Sequence, residues 1–304
     1  MNIPFIKYSK FWLVLSVLIA VASIWAIFNW GLKFGIDFTG GSLMEISFAK
    51  NRPTTEEIKS TLDTIGEKSV IVQKTGDSSL IVRTSLLSEE SHQKAWEVLR
   101  TAYEKDGNTM IENRFEMVGP SVSSQLRQRS LWAIILVSLG ILIYIAYAFR
   151  VVARPVASWK YGTLAIIAML HDVLLVIGVF AFLGHYYGVE VDTAFVVAIL
   201  TILGFSVHDT IVVYDRIREK LLRRSGEAFE ELVNAGLNQT LARSINTTVT
   251  TLITLFAMYL FGGMSIHYFV LALLIGFVTG AYSSIFIASP LLVYAERWQR
   301  RKTA

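Results

Sequence analysis

The chain has 304 residues, of which 53% are hydrophobic and 17% charged, and it contains no cysteine. This composition is too apolar for an ordinary soluble domain, and the absence of cysteine excludes disulfides, thiolate metal sites and a cysteine nucleophile. The formal net charge of +4 comes from Lys and Arg residues that flank apolar runs, so it predicts membrane topology and no nucleic-acid partner.

Six apolar stretches are long enough to cross a bilayer, which takes about 20 helical residues. They cover 11–30, 131–149, 161–183, 193–214, 243–262 and 266–294. Lys and Arg are concentrated in the connecting segments 150–160 and 215–242 and in the C-terminal tail, whereas 184–192 and 262–265 contain neither. By the positive-inside rule, this alternation predicts that both termini are cytoplasmic and that 31–130 is extracytoplasmic.

The sequence therefore predicts four parts in chain order. They are a cytoplasmic N-terminus with the first transmembrane helix (1–30), an extracytoplasmic domain (31–130), five further transmembrane helices (131–295) and a basic cytoplasmic tail (296–304). An Ala-x-Ala sequence at Ala20 to Ala22 leaves a cleaved signal peptide as the alternative for the first helix.

The segment 31–130 has a pattern of its own. Alternating or apolar runs predict strands, and amphipathic runs predict helices, the first of which opens with Thr54 and Glu57 at capping-box spacing. The predicted order is strand 41–49, helix 54–65, strand 69–75, a turn at Gly76-Asp77, strand 79–85, helix 88–106 and strand 110–118. This β-α-β-β-α-β order predicts a ferredoxin-like domain inserted in an α-helical polytopic membrane protein.

Ionisable residues inside apolar helices are candidates for function, because a charge at the bilayer centre costs about 2.5–3.5 kcal/mol on insertion scales. Two His-Asp pairs stand out, His171-Asp172 in the third span and His208-Asp209 in the fourth. Asp209 precedes Asp215 by six residues, which places it roughly 9 Å deeper in the membrane than the charged helix end. For His171, a hydrogen bond between helices is an alternative to a proton role.

The fifth span carries a polar stripe at helical spacing. It consists of Arg243, Thr247, Thr250 and Thr254, with Asn246 and Thr251 beside them. An aspartate that pairs with Arg243 while ionised, and is desolvated when the pair opens, has the two proton affinities that a proton carrier needs. The alternatives are a permanent buried ion pair and threonines that only bond their own helix backbone.

Familiar catalytic motifs are absent from the sequence. It has no G-x-x-x-x-G-K-[ST] loop for ATP and no H-E-x-x-H zinc site, so no cofactor or metal is predicted. An intramembrane aspartyl protease would need Asp172 and Asp209 to face each other and share a proton. The sixth span has small residues at Gly276, Gly280, Ser283, Ser284 and Ala288, which predict close helix packing.

Five segments resemble the SecF subunit family of the bacterial Sec protein-export machinery, a relative of the resistance-nodulation-division transporters. They are FGIDFTGG (34–41), HDV (171–173), GFSVHDTIVVYDRIREK (204–220), NQTLARSINTTVTTL (238–252) and LIGFVTGAYSSIFIASPLLV (274–293). The resemblance implies a non-enzymatic chain in the bacterial cytoplasmic (inner) membrane, with each of SecD and SecF contributing six helices to a pseudo-symmetric body. It also implies that the complex uses the proton gradient to assist export.

The resemblance assigns roles to particular residues. Asp209 and Arg243 match the aspartate and arginine of proton passage, and we place Asp172, Thr247 and Thr250 in the same pathway. The signature loop is Gly35, Asp37, Gly40 and Gly41, which we interpret as a turn at the junction between membrane and external domain. The implied partners are a SecD-like subunit, the Sec translocon channel, exported unfolded polypeptides and membrane lipid. The alternative is a non-conducting structural partner of SecD.

Overall fold

The computed structural model describes residues 3–67, 69–76, 78–105, 107–150, 157–223 and 227–303. The predicted turn residue Asp77, the predicted helix end Asp106 and parts of the connecting segments 150–160 and 215–242 lie outside these ranges. The chain divides into two compact units, Phe34–Ser130 and the combination of Met1–Lys33 with Leu131–Ala304.

The larger unit is helical. Within the described residues, six helices are long and apolar enough to cross a membrane, which confirms the six predicted spans. They are formed by α1 (Ser9–Trp30), α5 (Pro120–Ala148), α6 (Ser158–Tyr187), α7 (Thr193–Arg223), α8 (Phe229–Phe261) and the last span, in which α9 (Met264–Ser283), a π-helix (Ser284–Ala288) and α10 (Ser289–Thr303) follow one another.

The helices α6, α7 and α9 form the buried centre of this unit. In each of the spans that these helices form, at least half of the most apolar segment is buried, compared with less than a fifth in α1, α5 and α8. The small residues of α9 allow close contact with α7, because a Cβ on Gly276 would lie 2.3 Å from Ile202 and one on Gly280 would lie 3.1 Å from Ser206 Cα. This contact confirms the predicted close packing of the sixth span.

Another close contact joins α1 to α6 at Gly178, where a Cβ would lie 2.7 Å from Ser23 Cα. Because a backbone atom cannot move aside as a flexible side chain can, we expect Gly178→Ala to lower the unfolding free energy by about 1–3 kcal/mol. Thermal denaturation of the purified protein in detergent measures this loss. Gly140→Ala on α5 is the matched control, since no described atom beyond its own helix backbone lies within 4 Å of its Cβ position. Equal melting temperatures for both variants and the parent would contradict the contact.

The segment before α1 is bound to α8 by two asparagine side chains. Ile3 N donates to Asn238 Oδ1 at 2.8 Å, and Asn238 Nδ2 donates to Ile3 O at 2.9 Å. Ile6 N also donates to Asn234 Oδ1 at 3.4 Å. These bonds pair backbone groups that have no partner within a helix or sheet, so the segment Ile3–Ile6 is attached to α8.

The smaller unit contains a four-stranded antiparallel sheet with the strand order β2-β3-β1-β4. Its elements are β1 (Gly41–Phe48), α3 (Thr55–Asp63), β2 (Ile71–Thr75), β3 (Ser79–Thr84), α4 (Glu89–Tyr103) and β4 (Met110–Val118), with a four-residue helix, α2 (Ile36–Thr39), before them. The element order and the strand order confirm the predicted ferredoxin-like fold.

The core of the smaller unit lies between the sheet and its two long helices. Ile58 and Leu62 of α3 and Leu99 of α4 are fully buried against strand residues such as Ile46 and Leu80. The predicted capping box is present, because Thr54 Oγ1 accepts from Glu57 N and Glu57 Oε2 accepts from Thr54 N. The amphipathic runs therefore gave the two long helices correctly.

Candidate functional site

Asp209 lies in the interior of the helical unit, with 8% of the residue exposed. Its two carboxylate oxygens accept hydrogen bonds from serines on different elements. Ser244 Oγ of α8 donates to Oδ1 at 2.6 Å, and Ser284 Oγ of the π-helix donates to Oδ2. A carboxylate with two hydroxyl donors is compensated for part of its lost hydration, so the site can hold a charge at membrane depth.

Asp172 of α6 is a second carboxylate of the same kind and is fully buried. Ser206 Oγ of α7 and Ser283 Oγ of α9 each donate to its Oδ2 at 2.6 Å. His171 Nδ1 lies 3.2 Å from Oδ1, so the polar contact of the imidazole is with its own neighbour in sequence. The two aspartates together join α6, α7, α8 and α9 through serine hydroxyls.

The sequence interpretation of Ser283 and Ser284 as packing residues alone was incomplete. Both are fully buried, and each supplies a hydroxyl to one of the two aspartates. The π-helix that begins at Ser284 has a local cause: Pro290 has no N–H and its ring collides with the carbonyl four residues before it. Ser289 Oγ donates to Ser284 O, and Tyr214 Oη donates to Ala288 O, so side chains satisfy carbonyls of this segment.

In the part of the chain that the structure describes, Arg243 forms no ion pair with Asp209, which corrects the predicted pair. Ser244 occupies the position beside the carboxylate. The physical reason is helix rotation: neighbouring residues point about 100° apart, so turning Ser244 toward Asp209 turns Arg243 away from it. Because Ser244 touches Asp209, Arg243 lies at about the same depth, on an exposed face of α8.

The remaining polar stripe of α8 is exposed as well. Asn246, Thr247, Thr250 and Thr254 all lie on the surface of this chain, whereas Ser244 and Thr248 are buried. Thr250 Oγ1 donates to the carbonyls of Asn246 and Thr247 at 2.9 and 3.0 Å, the backbone bonding that was the alternative interpretation. A hydroxyl that donates to its own helix still has lone pairs that accept from water or from another protein.

The signature loop lies in the smaller unit, at the start of its first strand. Gly35 is the N-cap of α2, Asp37 lies within α2, and the next two glycines have positive φ angles, +74° at Gly40 and +120° at Gly41. A Cβ on Gly41 would lie 2.7 Å from the carbonyl oxygen of Thr84 in β3. Both the backbone angle and this approach require glycine at position 41.

These features define a class: a six-span membrane protein with buried carboxylates in its helical bundle and a ferredoxin-like domain between its first two spans. The family described as Protein export membrane protein SecD/SecF, C-terminal, matches residues 98–298, and the SecD/SecF GG Motif matches residues 25–51. The chain belongs to the SecD/SecF family, as a subunit of the SecF type.

Similar proteins carry the same assignment. A Protein translocase subunit SecF from Thermobaculum terrenum is 48% identical, over 96% of this chain and 93% of its own length. A Protein translocase subunit SecDF from Brucella abortus is 36% identical, over 96% of this chain but only 37% of its own length. The crystal structure of SecDF from Thermus thermophilus, described as a translocon-associated membrane protein, has a TM-score of 0.83 and 30% identity, with 97% of this chain and 38% of that chain covered.

Proposed function

We propose that this chain works with a SecD-like subunit to couple proton flow across the membrane to protein export. The observation that carries the proposal is Asp209, a carboxylate held by serines of two elements at a depth where an ionisable group is costly to keep. Family membership supports the export role.

The exposed polar stripe supports the SecD-like partner. Arg243, Asn246 and Thr247 lie on the surface of a helix that is long and apolar enough to cross a membrane. Lipid tails offer no hydrogen bonds and disfavour a guanidinium, so such a face needs a protein partner or a water-filled space beside it. The SecDF relatives are long enough to hold a second part beside the one that this chain matches. The partner's helices therefore cover the stripe and enclose a polar path to Asp209.

Asp209 changes the packing of the bundle when it takes up a proton. The serine hydroxyls donate to an ionised carboxylate, and a neutral carboxylic acid accepts these bonds less strongly while donating one of its own. The bonds that join α7 to α8 and to the π-helix are thereby rearranged. One elementary charge that moves through 100 mV releases about 2.3 kcal/mol, enough to change a two-state population by tens of fold.

The remaining assignments follow from the same proposal. Asp172, Thr247 and Thr250 belong to the proton path with Asp209 and Arg243, and the loop of Gly35, Asp37, Gly40 and Gly41 shapes the junction to the external domain. Both termini are cytoplasmic, and 31–130 acts outside the cytoplasmic membrane on unfolded polypeptides that leave the Sec translocon channel. Each aspartate has its own pair of serine donors, which speaks against two carboxyls that share one proton, the arrangement of an aspartyl protease.

The test is polypeptide movement into proteoliposomes that contain this chain, a SecD-like partner and the translocon channel. We expect an imposed proton gradient to accelerate completion of export, and a protonophore to remove this acceleration. The matched control contains the translocon channel without the two subunits. Equal rates with and without the protonophore would contradict proton coupling, even if the subunits still assist export.

A further inference from the structure

The two buried aspartates are connected by two consecutive residues. Ser283 Oγ donates to Asp172 Oδ2 at 2.6 Å, and Ser284 Oγ, one residue later, donates to Asp209 Oδ2. Successive residues of a helix point about 100° apart, so this dipeptide reaches α6 on one side and α7 on the other. The connection lies where α9 ends and the π-helix begins. Short π segments inside α-helices are rare and frequently occur at functional sites.

Each serine hydroxyl also has a second acceptor on its own helix. Ser283 Oγ lies 3.2 Å from Gly280 O, and Ser284 Oγ lies 3.1 Å from Ala281 O. The hydroxyl can thus donate to an ionised aspartate, or it can accept from a protonated aspartate and donate to the carbonyl instead. In both protonation states the serine hydroxyl therefore has an acceptor, but the direction of its bond with the aspartate is reversed.

We propose that Ser283 and Ser284 are positioning residues that couple the protonation of Asp172 to that of Asp209. The inference rests on the proposed function, in which Asp209 takes up the proton. When Asp209 becomes protonated, Ser284 turns to its carbonyl acceptor and the π-helix adjusts. Because Ser283 is bonded to Ser284 through the backbone, its contact with Asp172 changes at the same time. The chain then has two linked proton sites, and proton binding at Asp172 depends on whether Asp209 is protonated.

In the described part of the chain, the charged and titratable groups that contact the two sites or adjoin them in sequence lie on α6, α7 and α8. His171 of α6 contacts Asp172, and His208 of α7 precedes Asp209 in sequence. Arg243 of α8 comes directly before Ser244, which bonds Asp209, and lies at about the same depth. The elements of the last span contribute serine hydroxyls to both carboxylates. Each histidine is therefore replaced in a separate control, so that its titration is not mistaken for that of a carboxyl group.

Infrared difference spectroscopy of the complex with its SecD-like partner tests the coupling. The carbonyl band of protonated Asp172 is assigned by its loss in Asp172→Asn. In the parent complex, we expect Asp209→Asn to displace the pH midpoint of this band by about one pH unit, the size at which two sites titrate as a pair. In the Ser284→Ala background, the same replacement displaces the midpoint by less than half as much.

Two further variants separate coupling from structure. Ser284→Thr keeps the hydroxyl and retains the full displacement, which also provides a result if Ser284→Ala does not fold. Thr279→Ala removes a buried α9 hydroxyl that donates only to Gly276 O at 3.0 Å, and it leaves the coupling unchanged.

An equal displacement in the parent and Ser284→Ala backgrounds would overturn the proposal, since the two carboxyl groups would then interact through space alone. The absence of a displacement in the parent, or its loss in Ser284→Thr, would also overturn it. These spectra do not depend on export. If the coupling is absent but export still depends on the gradient, only this inference is refuted. If the export rate does not depend on the gradient, the proposed function is refuted.

Discussion

Asp209→Asn abolishes the gradient-dependent part of export, so that the rate in proteoliposomes falls to the level measured with a protonophore. Asparagine has nearly the shape of aspartate, and its Oδ1 still accepts from a serine hydroxyl, so the contacts with Ser244 and Ser284 are largely kept. What is lost is the ability to take up and release a proton. The measurement is the export rate at a fixed imposed gradient, compared with the rate after the gradient is removed.

Asp215→Asn is the matched control for this experiment. It lies six residues later on α7, its side chain is 69% exposed, and it pairs with Arg218 at 3.8 Å. We expect this variant to retain gradient-dependent export. An exposed carboxylate at the helix end contributes little to the free energy of unfolding, and it adds no charge in the membrane interior. If Asp209→Asn exports as fast as the parent at the same gradient, Asp209 has no part in the mechanism.

Arg243→Gln gives an assembled complex that does not respond to the gradient. The shorter glutamine side chain stays polar and still donates hydrogen bonds but removes a charge that is expensive at this depth, so membrane insertion should not suffer. Co-purification with the SecD-like subunit measures assembly, and the proteoliposome assay measures export. The expected result is normal recovery of the partner with export at the rate seen without a gradient.

The alternative, a structural partner that conducts no protons, makes the opposite prediction for Arg243→Gln. If the polar stripe of α8 only holds the two subunits together, the variant should lose its SecD-like partner during purification. Arg223→Gln is the control, because Arg223 is exposed at the end of α7 and pairs with Glu219 at 2.9 Å. Dissociation of the Arg243→Gln complex alone would favour the structural alternative.

Hydrophobic patterning was sufficient to predict the fold. Long apolar runs gave the six spans, and the period of apolar residues gave the strands and helices of the smaller unit, down to the capping box at Thr54 and Glu57. The helices extend beyond the apolar runs. The helix that contains the second run begins at Pro120, because the polar residues before the run continue the helix and no glycine or proline interrupts them.

The candidate site was only partly predictable. The cost of an intramembrane charge singled out Asp209 and Asp172, and both are buried. The serines around them could not be identified, because a serine in an apolar helix usually bonds its own backbone and sequence does not say which neighbour it faces. The predicted pair of Asp209 and Arg243 was wrong for a related reason. The polar stripe shows which residues share a face of α8, but the direction in which that face points depends on packing with α7.

Because Ile3–Ile6 is hydrogen-bonded to Asn234 and Asn238, this segment moves together with α8. Tyr8 follows it closely and is 56% exposed, and the chain contains no native thiol. Tyr8→Cys therefore accepts a fluorescent or spin label without competing sites, and it replaces neither a residue of the polar stripe nor a serine that bonds Asp172 or Asp209. Movement at the junction between this α8-bound segment and α1 during turnover thus becomes an optical or magnetic signal, readable without any change to the residues that bind the proton.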